Sequence, residues 1–116
     1  MHIDEIRDYC LAQKGAKESM PFDDTTLVFK VGGKMFALLG LNKMILNLKC
    51  DPERALNLRE KYTAITEGYH MNKRLWNSLS FNDGLPQDLI IELINHSYRL
   101  IVNSLPKKIR NELEGM

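Results

Sequence analysis

Apolar residues recur at Ile3, Ile6, Tyr9 and Cys10 with the spacing of one helix face, and Asp4 and Glu5 fall in the first turn, where the helix dipole favours anions. The spacing predicts a helix from about His2 to Gln13, stopped at Gly15. Met20 precedes Pro21 and is pushed away from helical angles, so the chain should run extended there. From Leu27 to Cys50 the period changes to two. Gly32-Gly33 can supply the positive φ values of a two-residue hairpin turn, which would set Val31 opposite Lys34 and Phe29 opposite Phe36. Leu27, Phe29, Phe36 and Leu38 then share the core face, leaving Val28, Lys30, Met35 and Ala37 on the other. In the next strand Met44, Leu46, Leu48 and Cys50 alternate with Ile45, Asn47 and Lys49, which places Asn47 and Lys49 beside Lys30 on the more exposed face.

Asp51-Pro52-Glu53 opens a helix: Asp accepts backbone N–H groups at the N-cap, Pro fits the first helical position and Glu complements the dipole. This helix should reach about Tyr62, with Ala55, Leu58 and Tyr62 facing inward. Within 63–81 the clearest signal is the alternation of Leu75, Asn77, Leu79 and Phe81 against Trp76, Ser78 and Ser80, a strand closed by the turn Asn82-Asp83-Gly84. Pro86 opens the longest helix, whose stripe runs through Ile90, Leu93, Ile94, Ser97, Tyr98, Ile101 and Leu105. Pro106 ends it and starts a short helix from Lys107 to Leu113.

The chain has 116 residues, 44% of them hydrophobic and 27% charged, which fits one globular domain over 1–116 and argues against disorder. Apolar runs such as 35–39 are far shorter than the roughly 20 residues of a membrane span. The start, Met1-His2-Ile3-Asp4, lacks the basic and apolar regions of a signal peptide, so a cytoplasmic chain with reduced cysteines is expected. Cys10 and Cys50 have no CxxC spacing and sit in apolar patterns, as structural thiols do. The net charge of +1 is unevenly spread: residues 1–24 hold three basic and six acidic side chains, 25–81 nine and four, and 82–116 four and five. The basic excess therefore falls on the predicted sheet.

Catalytic and metal motifs do not emerge. His2, His70 and His96 lack HxxxH, HxH or HExxH spacing, and there is no GxSxG, P-loop or dinucleotide fingerprint. His70, beside Tyr69 and near Trp76, is the histidine best placed for a special role. Asp4, Glu5 and Asp8 form an acidic ridge on the first helix, but dipole compensation explains it and Arg7 interrupts it. No cofactor, metal or catalytic residue is predicted. The segment from Tyr69 to Ser78 packs aromatics, cations and amides together; this mixture suits nucleic acid, and it equally suits a core tryptophan beside an exposed Lys73-Arg74 loop.

Met20-Pro-Phe22, the run from Leu27 to Ala37, Leu48-Lys-Cys-Asp-Pro52, Gly68 to Lys73, Trp76-Asn77, Ser97-Tyr98 and Leu105-Pro-Lys-Lys108 together resemble the MmcQ/YjbR family of small bacterial proteins, in order and across nearly the whole chain. Two positions depart from that pattern: Asp23 follows Pro-Phe where the family often has Gly, and Leu75 precedes Trp76 where His is common. The resemblance implies a CyaY-like α+β fold, an antiparallel sheet with helices packed on one face. It also implies a DNA-binding role in which a sheet surface and its hairpins approach double-stranded DNA as a double wing. On these residues the expected interface comprises Lys30, Asn47 and Lys49 on the sheet, with Lys34, Lys43, Lys73, Arg74 and Asn77 around it, and binding weak and independent of sequence. The alternative is a protein-interaction or small-ligand module built on the loop from Tyr69 to Asn77. The frataxin group shares the architecture and holds iron with acidic residues of its first helix, but here those acids are few.

Overall fold

A computed structural model of the chain describes residues 1–69 and 71–116. The described residues form α1 (Ile3–Leu11), β1 (Lys17–Ser19), β2 (Thr26–Val31), β3 (Lys34–Gly40), β4 (Ile45–Lys49), α2 (Pro52–Lys61), β5 (Ile65–Glu67), β6 (Trp76–Ser80), α3 (Gln87–Ser104) and α4 (Lys107–Glu114). The strands make one antiparallel sheet in the order β1-β2-β3-β4-β6-β5. Ile6 and Cys10 of α1, Ala55 and Leu58 of α2 and the α3 stripe bury the inner face, where Phe29, Leu39, Leu46 and Leu79 lie. The α+β architecture with its helix-covered face matches the expectation from the sequence.

The helix starts follow their local chemistry. The Asp51 carboxylate accepts the Arg54 N–H at 3.1 Å ahead of Pro52, as an N-cap should. His2 and Glu5 form a reciprocal capping box on α1, which engages one carboxylate of the acidic ridge; the described residues contain no group of three or more ligands able to hold a metal. No helix among the described residues is long and apolar enough to cross a membrane. Both cysteines are buried free thiols, and desolvation pushes Cys10 up to about 12 and Cys50 to about 11, so neither offers a reactive thiolate at neutral pH.

The hairpin differs from strict alternation at one point. Val31 does face Lys34, but Phe29 faces Ala37, because the register shifts between Phe29 and Lys30 and leaves Phe36 as an extra residue on β3. Phe36 and Ala37 consequently both join the inner core, and the remainder of β3 changes phase. Leu38, expected on the core face, lies instead on the outer face opposite Val28; Ala37, expected outside, lies inside. The β1 and β5 strands are also additions to the predicted set. Each has three residues, too few to display a period.

Candidate functional site

The outer sheet face is made of short rows that cross the strands. Alternation along each strand, combined with the pairing, puts Ser19, Val28, Leu38, Asn47, Ser78 and Thr66 in one row. A second row nearer the β2–β3 hairpin begins with Lys17 opposite Lys30 and Lys30 opposite Met35, and ends with Lys49 opposite Trp76. Like charges directly opposed across strands are destabilising, and none of these three lysines has an acidic partner among the described residues.

The centre of this face is apolar and covered. Val28 is 0% exposed, Leu38 7% and Trp76 8%, and Met35, Met71 and Leu75 pack against them. The segment before β6 therefore folds down onto the sheet. Its local geometry explains why it can do so. Asn72 accepts the Arg74 N–H at 3.0 Å on its side chain and the Trp76 N–H at 2.9 Å on its carbonyl, closing a turn. Gly68 lies so near the following strand that a Cβ there would come within 2.7 Å of the Trp76 Cβ. Arg59 of α2 donates to the Lys73 carbonyl at 3.3 Å and fastens the segment from the far side.

Beside this patch, across β4 and β6, polar groups form a chain. The Tyr69 N–H donates to Ser78 Oγ at 3.0 Å, and the Ser78 hydroxyl donates to Asn47 Oδ1. The Lys43 ammonium, carried by the β3–β4 turn, sits 4.9 Å from the centre of the Tyr69 ring in cation–π geometry. Met44, next in the chain, holds φ at 57°, a left-handed value uncommon for a residue with a side chain.

The structure thus gathers only part of the expected interface. Lys30, Asn47 and Lys49 share the outer face, Lys43 reaches the same face through Tyr69, and Lys73 and Arg74 are exposed in the segment leading to Trp76. Asn77 does not belong there. It is 2% exposed on the inner face, where its amide donates to the Ala55 carbonyl at 3.2 Å and accepts from Arg59 at 2.8 Å. Lys34 also turns away: its ammonium lies 3.5 Å from the Ser104 carbonyl and 3.4 Å from its hydroxyl, at the end of α3. Position 34 shares the inward phase of Val31, its cross-strand partner, which is why the hairpin tip cannot supply a cation to the outer face. The expected special role of His70 falls outside the described residues.

Lys17 was not legible as part of this row, since Lys17-Glu18-Ser19 carries no apolar alternation to mark it as a strand. The neighbouring Glu18 points to the helix side, where Arg7 forms a two-toothed pair with it; that hydrogen-bonded guanidinium holds the carboxyl below its ordinary range. A groove of roughly 730 Å³ lies beyond β1, between the hairpin tip and α4, and Met71 and Leu75 of the loop before β6 are packed down on the sheet.

Comparison with known proteins agrees with this architecture. The family model described as YjbR matches residues 11–100. The chain is 33% identical over 115 residues to the Escherichia coli (strain K12) protein YjbR, covering 97% of this chain and 98% of that one. It is 39% identical over 90 residues to YbdF of Escherichia coli O157:H7, covering 76% and 74% respectively. Among solved structures, the Deinococcus radiodurans protein DR2400, described by the domain DUF419, superposes with a TM-score of 0.90 at 38% identity, over 97% of this chain and 87% of that one. A Pseudomonas syringae protein of known crystal structure gives a TM-score of 0.75 at 27% identity, over 87% and 99%. None of these descriptions states a ligand or a reaction.

Proposed function

The chain belongs to the YjbR family, and from the cationic row on its outer sheet face we propose that it is a weak, sequence-independent DNA-binding domain. The observation that carries this reading is the opposition of Lys17 to Lys30 with Lys49 in the same row. A pair of like charges costs folding stability and becomes favourable only when an anion lies across it. Phosphate is the anion that a row of lysines fits without any need for base readout, because a lysine ammonium is a point charge with three rotatable donors. Lys73 and Arg74, exposed beside the row, add cations at the same end. Asn47 is the one amide of the expected set that remains on this face. With so few groups able to read base edges, the interaction should be micromolar or looser at physiological salt.

The test is fluorescence anisotropy of a labelled duplex titrated at several salt concentrations. Log affinity should fall linearly with log salt, at a slope of about −0.9 per phosphate contact. The double substitution Lys30→Ala with Lys49→Ala should weaken binding and flatten that slope by about 1.8, two contacts' worth. Absence of binding at low salt to the duplex and to its single strand alike rejects the reading. Unchanged affinity in the double variant rejects this surface.

A further inference from the structure

We propose, resting on the DNA-binding reading above, that the outer face takes single-stranded DNA in preference to duplex, with a base stacked on Tyr69 and its phosphate held by Lys43. Tyr69 is 58% exposed, yet it is held in place from two sides: its N–H is bound to Ser78 and its ring lies under the Lys43 ammonium. An exposed aromatic ring with a cation at its face combines the two elements by which proteins bind single strands without reading sequence, a stacking platform and a phosphate contact. The adjacent Asn47 spends its carbonyl oxygen on Ser78, while its amide nitrogen has no protein partner among the described residues. Its two N–H donors are therefore left to a ligand on the same face, one hydrogen bond removed from the Tyr69 backbone through Ser78. A second exposed aromatic, Phe22, is 64% exposed in the segment that joins β1 to β2. That segment is tied to the turn carrying Lys43, because the Leu41 N–H donates to the Thr25 carbonyl at 2.8 Å.

The remainder of the face also suits one strand better than two. Lys17, Lys30 and Lys49 form a single line across β1 to β4, a span of about 14 Å at the usual strand spacing, which follows one phosphate backbone. Beside that line Met71 and Leu75 lie over an apolar patch, and the further cations Lys73 and Arg74 are gathered at one end instead of forming a second row. A duplex buries the faces of its bases and would gain nothing from the Tyr69 ring. A single strand offers a π-face at every nucleotide.

The experiment compares a labelled single-stranded oligonucleotide of mixed sequence with its own duplex, in the same low-salt buffer, using the full chain and its Tyr69→Ala and Tyr69→Phe variants. The single strand should bind several-fold more tightly. Tyr69→Ala should weaken it about 5- to 100-fold, the loss expected for one stacked base, while Tyr69→Phe keeps the affinity and the duplex changes less than about twofold. Duplex binding as tight as single-strand binding, or indifference of the single strand to Tyr69→Ala, overturns the preference and leaves the DNA-binding reading standing. Failure of both oligonucleotides to bind overturns both.

Discussion

Ser97 of α3 donates its hydroxyl to the Phe36 carbonyl of β3 at 2.6 Å, across the interface between helix and sheet. The same oxygen accepts the Lys49 N–H at 3.0 Å. Phe36 is the extra residue of the bulge, so its carbonyl falls outside the ladder and needs a partner from elsewhere. A serine inside an otherwise apolar helical stripe supplies it, which explains a polar residue at 0% exposure. Ser97→Ala should leave two backbone groups unsatisfied and cost about 1–3 kcal/mol, seen as a lower midpoint of urea unfolding with an unchanged slope. An unaltered midpoint would mean that the bulge is satisfied without the helix.

Gly32 and Gly33 both hold positive φ, at 57° and 80°, yet only one of them is sterically enclosed. A Cβ on Gly32 would lie 2.6 Å from Leu105 Cδ1, whereas one on Gly33 would meet nothing within 4 Å. Alanine at either site carries the left-handed penalty of roughly 1–2 kcal/mol. At Gly32 the displacement of Leu105 should add about another 1 kcal/mol or more. Paired denaturation curves should therefore rank Gly32→Ala below Gly33→Ala. Equal losses would show that Leu105 yields without cost.

His96 accepts the Asp51 N–H on Nε2 at 3.1 Å, just before α2 begins, a bond that only the neutral ring can make. Its pKa is lowered chiefly by desolvation, then by the positive charges of Arg54 and Arg99, against the opposing pull of Asp51 and Glu92. The unfolded chain, with an ordinary histidine near 6.5, therefore takes up the proton more readily than the folded one. This contribution to stability is complete above about pH 6.5 and is lost as the pH falls toward the depressed folded value. Urea midpoints measured from pH 8 down to pH 5 should decline, and His96→Gln, which keeps an acceptor but cannot titrate, should decline less. Parallel declines would remove His96 as the cause.

Where the sequence speaks in long periods, the fold is readable from it. The α3 stripe, the Asp51-Pro52 start and the Gly32-Gly33 hairpin need only local rules, and the structure has all three. The bulge is different, because an inserted residue is a property of the pairing between two strands and leaves no mark on either strand alone. Leu38 and Ala37 exchanged faces for that reason. The candidate site was legible in composition and not in convergence. Lys30 and Lys49 follow from alternation, but Lys17 becomes their neighbour only through a three-residue edge strand, and Asn77 is withdrawn by Arg59 and Ala55, contacts distant in sequence.

Trp76 is the only tryptophan in the chain, and it lies in the small outer cluster with Val28 and Leu38 rather than in the helix-covered core. Its fluorescence consequently belongs to the face proposed to meet DNA. Emission from the native protein reports whether Met71 and Leu75 still cover that patch, while far-UV circular dichroism reports the helices on the other side. Loosening of the cover would redden the emission before any helix is lost, so the molecule carries its own optical label on the surface of interest.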